Sequence, residues 1–167
     1  VYYTNGNFRA GVRLESYLPR IQGYPAAFDG TGLGMRYVGW GNSFIDVQVG
    51  NFYEQFGNGL SLRVYEDRAL GYDNMLDGIR VKLMPYKGIT LKGLYGQQRL
   101  AFRGGRVDNS EGIVRGVDGD FNLNEIFTKL NDSKWQFTIG GSLVSKYQAD
   151  NIDHLVLPKN VATYGGS

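Results

Sequence analysis

Glu54, Arg63, Glu66, Asp67 and Arg68 put five charges of both signs into a short span, and Arg80 and Lys82 follow on a segment of alternating polarity. Such charges do no covalent chemistry on their own. Inside a water-filled channel they narrow the path and sort solutes by charge; on a surface loop they are simply solvated or paired. Other candidate chemistries are less complete. Asp118-Gly119-Asp120-Phe121-Asn122 spaces oxygen ligands as a calcium loop opens, but Leu123 stands where that loop needs glycine and Lys129 where it needs the closing glutamate. Gly30-Thr31-Gly32-Leu33-Gly34 leads into a strand pattern, not the helix N-terminus that a phosphate cradle requires. His154 is the only histidine and no nucleophile motif accompanies it. Asn131-Asp132-Ser133 fits a glycosylation sequon but is better explained as a turn. The absence of cysteine removes disulfides and thiolate metal sites. No enzyme, cofactor or metal is expected.

The elements that must position these charges show a two-residue period. Phe8-Ala10-Val12-Leu14 alternates with Arg9-Gly11-Arg13-Glu15, Ile79-Val81-Leu83 with Arg80-Lys82, and Trp135-Phe137-Ile139-Gly141-Leu143 with Lys134-Gln136-Thr138-Gly140-Ser142. Strands place successive side chains on opposite faces, so each segment has one apolar and one polar face. The pattern predicts an all-β fold, an antiparallel transmembrane β-barrel with apolar residues toward lipid and polar ones toward a wet lumen. The 12 Tyr, 9 Phe and 2 Trp fit this, with Tyr17, Trp40, Tyr53, Tyr86 and Trp135 near strand ends where interfacial girdles form. A soluble β-sandwich with a Tyr-rich core is the competing architecture. A net charge of +2 gives no reason to expect nucleic acid. No run of apolar residues is long enough for a transmembrane helix, and no signal peptide stands at Val1, so an exported chain would be a trimmed or internal piece.

Strands are expected at about 7–17, 32–40, 43–51, 77–84, 89–98, 112–123 and 134–147. Short connections at Gly41-Asn42, 85–88 and 131–133 alternate with long ones at 18–31, 99–111 and from 148 onward, as outer-membrane barrels require. Leu60-Leu62-Val64 against Ser61-Arg63-Tyr65 also reads as a strand. Counting it as spanning would put two short connections on opposite sides. Residues 53–74 are therefore expected to be an excursion, either an external hairpin or a segment folded into the lumen. Seven strands leave open edges, which lipid does not tolerate, so residues 1–167 are expected to be one portion of a larger barrel. The alternative, a complete eight-stranded barrel closed near 155–164, is strained by Pro158.

The stretch Gly50-Asn51-Phe52-Tyr53-Glu54-Gln55-Phe56-Gly57-Asn58-Gly59-Leu60, continuing through Arg63-Val64-Tyr65-Glu66-Asp67-Arg68-Ala69-Leu70-Gly71 to Tyr72-Asp73-Asn74, resembles a family of uncharacterised outer-membrane proteins from Bacteroidota, a domain of unknown function. Arg115-Gly116-Val117-Asp118-Gly119-Asp120-Phe121-Asn122-Leu123-Asn124 is similar to the same family. The resemblance implies an outer-membrane barrel of a didermal bacterium, longer than this chain, and implies no activity.

On the polar faces Arg9, Arg13, Arg36, Arg80, Lys82 and Lys92 oppose Glu15, Asp46, Asp118 and Asp120. Left unpaired, they would make a mildly basic lumen that favours anions; paired, they would simply fill the interior. Arg115 shares a face with Ile113 and Val117, which would be costly at mid-membrane, so either it sits near a rim or the strand register differs from this reading. The expected function is a porin-like passage of small solutes across a bacterial outer membrane, in contact with outer-membrane lipid, with Glu54, Arg63, Glu66, Asp67, Arg68, Arg80 and Lys82 lining the lumen or its constriction. The rival is a non-conducting barrel scaffold in an outer-membrane secretion, surface-anchoring or gliding complex. Its protein partners would dock on the long connections, where Leu18, Ile21, Tyr24 and Phe28 offer apolar surface.

Overall fold

Glycine pairs and an asparagine side chain set the turns of this chain. The computed structural model describes residues 1–19, 22–130, 134–148 and 160–166. The strands are β1 (Tyr2–Asn5), β2 (Phe8–Ser16), β3 (Thr31–Gly41), β4 (Ile45–Phe52), the short β5 (Gln55–Phe56), β6 (Leu62–Arg63), β7 (Glu66–Asp67) and β8 (Tyr72–Asp73), then β9 (Leu76–Tyr86), β10 (Ile89–Arg103), β11 (Arg106–Asn122), β12 (Thr138–Tyr147) and β13 (Asn160–Gly166). The fold is all-β and mostly antiparallel. Its main sheet runs β1-β2-β3-β4-β9-β10-β11-β12-β13, each strand beside its chain neighbour except where β5–β8 intervene. Among the described residues β1 and β13 do not pair, and no closed barrel is seen.

Several expected connections are corrected. Residues 99–111 do not form a long loop: Gly104 and Gly105 both take positive φ, which closes a two-residue hairpin and lets β10 and β11 extend almost to its tip. Their polarity is confined mainly to the outer face, while Ala101 and Phe102 are buried on the inner one. The tail from 148 is not all loop, because 160–166 form β13 against β12. The last expected strand begins only at Thr138. Asn124, on the short helix α1 (Leu123–Ile126), donates to the carbonyls of Leu130 and Trp135 at 2.8 Å each and accepts from Phe137 N at 2.7 Å, holding that stretch in a turn. The expected turn at 131–133, His154 and Pro158 lie outside the described residues.

The sheet curls. Asp29 N donates to Phe102 O at 2.7 Å and Gly105 N to Asp29 O at 3.3 Å, so the end of β10 meets the chain entering β3. Two strands separate β3 from β10, and a flat sheet would hold them about 14 Å apart. Gly50, Gly78 and Gly96 sit side by side on β4, β9 and β10. A Cβ on Gly78 would run into the Tyr95 carbonyl, and the missing side chains allow the strands to bend there.

Registers carry the two faces across the curl. Phe8, Trp40, Val47, Val81, Gly93, Val117, Leu143 and Tyr164 form one continuous row. This outer face is apolar and open, with Val49 54%, Val117 58% and Leu143 48% exposed. The next row, Arg9, Gly39, Gln48, Arg80, Leu94, Gly116, Val144 and Thr163, faces inward. There Leu94, Val114 and Val144 pack with Phe52 and Leu76 against Phe56 and Val64 of the inserted segment.

Candidate functional site

The segment 53–74 leaves the sheet after Phe52 and returns at Leu76, and those two residues are paired across β4 and β9. Between them β5 pairs with β6 and β7 with β8 as two small ribbons. Asn74 ties the ribbons together: its Oδ1 accepts from Tyr65 N at 2.7 Å and its Nδ2 donates to Arg63 O at 3.1 Å. The segment lies on the inner face. Phe56, only 1% exposed, is its apolar anchor, worth roughly 2–3 kcal/mol by its burial.

Two ionic clusters join the segment to the wall. In the first, Arg9 pairs with Asp46 at 2.6 Å and Arg80 with Asp46 at 2.7 Å. Arg80 also reaches Glu54 at 3.4 Å, and Lys92 reaches Glu54 at 3.6 Å and Asp118 at 3.4 Å. Charge thus alternates from β2 through β4, β9 and the segment to β10 and β11. The second cluster centres on Arg99, whose side chain is wholly buried. It pairs with Glu15 at 2.8 Å and Asp73 at 2.7 Å, and its guanidinium stands 5.2 Å from the Phe28 ring centre and 5.3 Å from that of Phe102. Arg13 adds contacts to Glu15 at 2.6 Å, Glu66 at 2.8 Å and Asp73 at 3.5 Å. Burial pushes the Asp73 carboxyl above the usual carboxylate range while Arg99 pulls it back. Burial and the nearby Asp73 charge push the Tyr53 phenol up, so it stays a neutral donor, 3.1 Å from Asp73 Oδ1.

Of the residues singled out from sequence, Glu54, Glu66 and Arg80 enter these clusters. The Arg63 guanidinium lies over the Tyr65 ring at 4.7 Å. Asp67 accepts from Ala69 N and Leu70 N and fastens its own turn. Arg68 is largely exposed and touches Glu66 at 3.2 Å. Lys82 occupies the row between Asp46 and Lys92, and among the described residues no carboxylate pairs with it. Arg36 is corrected: it shares the outward row of Val12 and pairs with Asp77 at 3.4 Å. Tyr17 and Tyr53 stand inside, not in a girdle, because their hydroxyls donate to the buried acids Glu15 and Asp73. Phe28 is buried and Tyr24 half-buried beside it, while Leu18 is exposed. Ile21 lies outside the described residues.

Sequence reasoning missed Arg99 and Asp73. Register shifts on either side of Arg99 turn it inward, which strict alternation does not show. A second shift between Arg13 and Leu14 leaves Gly34 opposite no residue, and a Cβ there would occupy the place of the Glu15 carboxyl. Gly34→Val is therefore expected to displace Glu15 and lower stability by about 1–3 kcal/mol. A urea titration reads the loss, with Gly93→Ala, which has nothing within 4 Å, as the silent control.

A protein-family model matches residues 1–166 of the chain, and its description is a family of unknown function, DUF6029. The match is consistent with the resemblance to an uncharacterised family carried by residues 50–74 and 115–124. No curated protein and no solved structure matches the chain.

Proposed function

The chain belongs to this family of unknown function, and we propose that it forms the wall and constriction of an outer-membrane β-barrel that passes small solutes. The observation that carries this reading is the inverted polarity of the sheet. A soluble sandwich buries its apolar faces; here the apolar rows of eight strands lie open while most of the inward charges are covered and paired. Nine residues of β11, from Ile113 to Phe121, run about 27 Å along the strand, or roughly 20 Å of height at a barrel's usual tilt, close to the lipid-facing band of a barrel. Trp40 and Tyr86 are exposed beside the short connections 42–44 and 87–88, and Trp135 is exposed in the longer connection between β11 and β12 at the same end; such amphipathic rings favour the headgroup level.

The inner face supports a passage that the segment 53–74 narrows. Glu54, Glu66 and Asp73 match the wall's cations, so the charge bias toward anions largely cancels. Selection then rests on size more than on sign.

Single-channel conductance of the complete parent barrel in a planar bilayer tests this. Small, reproducible steps with little preference between anion and cation are expected. A folded, heat-modifiable barrel that stays silent would overturn the passage and make the scaffold the better reading. A protein that remains soluble without detergent would overturn the membrane assignment.

A further inference from the structure

Arg115 is an outward charge that the proposed passage does not use. It lies in the row Val49, Ile79, Tyr95, Arg115, Ser145, it is exposed, and among the described residues no carboxylate pairs with it. The outward Arg36, by contrast, has Asp77. The next outward row holds Asp77, Gln97, Ile113, Tyr147 and Asn160, so beyond Arg115 polar groups flank a single aliphatic side chain. Arg115 thus stands just inside the edge of the apolar band, where its long stem lets the guanidinium reach headgroup depth.

Directly below it the band has a hole. Gly93 lies between Val81 and Val117 in the apolar row, and Leu143 follows. Its φ is not in the left-handed region, and a Cβ built there would meet nothing within 4 Å. Neither backbone conformation nor close packing demands glycine at this position. The missing side chain leaves an apolar trough, walled by Ile79, Val81, Tyr95, Val117 and Leu143, whose open end is marked by Arg115 and Ser145. A strand glycine free of backbone constraint marks a place where something else approaches closely.

We propose that this trough and Arg115 together bind one anionic phospholipid, its acyl chain lying over Gly93 and its phosphate on the guanidinium. The proposal rests on the membrane reading above. The complementarity lies in the pairing: an apolar trough beside an exposed cation that has no carboxylate partner among the described residues fits a tail and an anion joined in one molecule. A second copy of this chain would present the same cation and repel at that point.

The test uses the full-length protein refolded into vesicles of equal parts phosphatidylcholine and phosphatidylglycerol. Flotation with the vesicles comes first, then native mass spectrometry of the extracted protein to count retained lipids. The wild type is expected to keep phosphatidylglycerol in preference to phosphatidylcholine. Arg115→Gln should lower that retention about fivefold, Arg115→Lys should keep most of it, and Gly93→Leu should lower retention of both lipids by filling the trough. Failure to float would overturn the membrane reading and this site with it. A protein that floats and retains phosphatidylglycerol equally as wild type and as Arg115→Gln would overturn the site alone. A dimer mass abolished by Gly93→Leu would assign the trough to a second copy and also overturn it.

Discussion

Replacing Arg99 with methionine is expected to lower stability by about 3–5 kcal/mol, because it strands two carboxylates that burial has already removed from water. Arg99 holds Glu15 and Asp73 at 2.8 and 2.7 Å, and the acids' side chains are only 9% and 4% exposed. Arg13 still touches both and softens the loss, which sets the figure within that range and not beyond it. The faces of Phe28 and Phe102 also lose the cation between them, a part of that loss worth about 0.5–2 kcal/mol at a desolvated site. Urea unfolding of the refolded protein in micelles measures the change. The triple variant Arg99→Met, Glu15→Gln, Asp73→Asn should recover much of it, since a buried ionic cluster replaced as a whole need not destabilise. If Arg99→Met shifts the midpoint by less than about 1 kcal/mol, the cluster is not what fastens the segment to the wall.

Arg99 also marks the limit of what periodicity reveals. Seven strands of the main sheet follow from alternation because each has one face toward solvent or lipid and one toward the charged interior. β1 escaped since it has four residues and no contrast between faces, although Asn5-Gly6 before Phe8 is a hairpin signal that was there to be used. β10 and β11 reach beyond the apolar band, where their inner face is covered by the chain entering β3 and their outer face is mostly polar, so the composition there imitates a loop. At Arg99 and Gly34 a local register shift reverses the face, and counting by twos fails from that residue on. The charges of the segment 53–74 were legible as a group. Their partners were not, because the bond from Arg99 to Glu15 spans 84 positions of chain and only the curl brings them together.

Excising residues 54–74 and closing the gap with a short Gly-Ser turn is expected to raise the conductance of the parent barrel several-fold. The cut is geometrically clean. Phe52 and Leu76 are already paired, so β4 and β9 need only a hairpin turn to stay joined, and shortening the loop slightly favours closure. The wall keeps its outward apolar rows, to which the segment contributes nothing. It loses Phe56 and Val64 from the inner cluster and Glu54 from Arg80 and Lys92, and Arg99 keeps only Glu15. Roughly 3–5 kcal/mol of burial goes with the two apolar side chains, so the excised barrel should refold with a lower urea midpoint yet still shift in the heat-modifiability assay. Uncovered Arg80, Lys92 and Arg13 should then give the widened path a preference for anions that the intact protein lacks. Glu54→Gln offers the same change of sign in miniature, at nearly unchanged conductance and stability. A folded excised barrel with the wild-type conductance would mean that solutes do not pass along this face, and the segment would then be a structural filling of the wall, not its constriction.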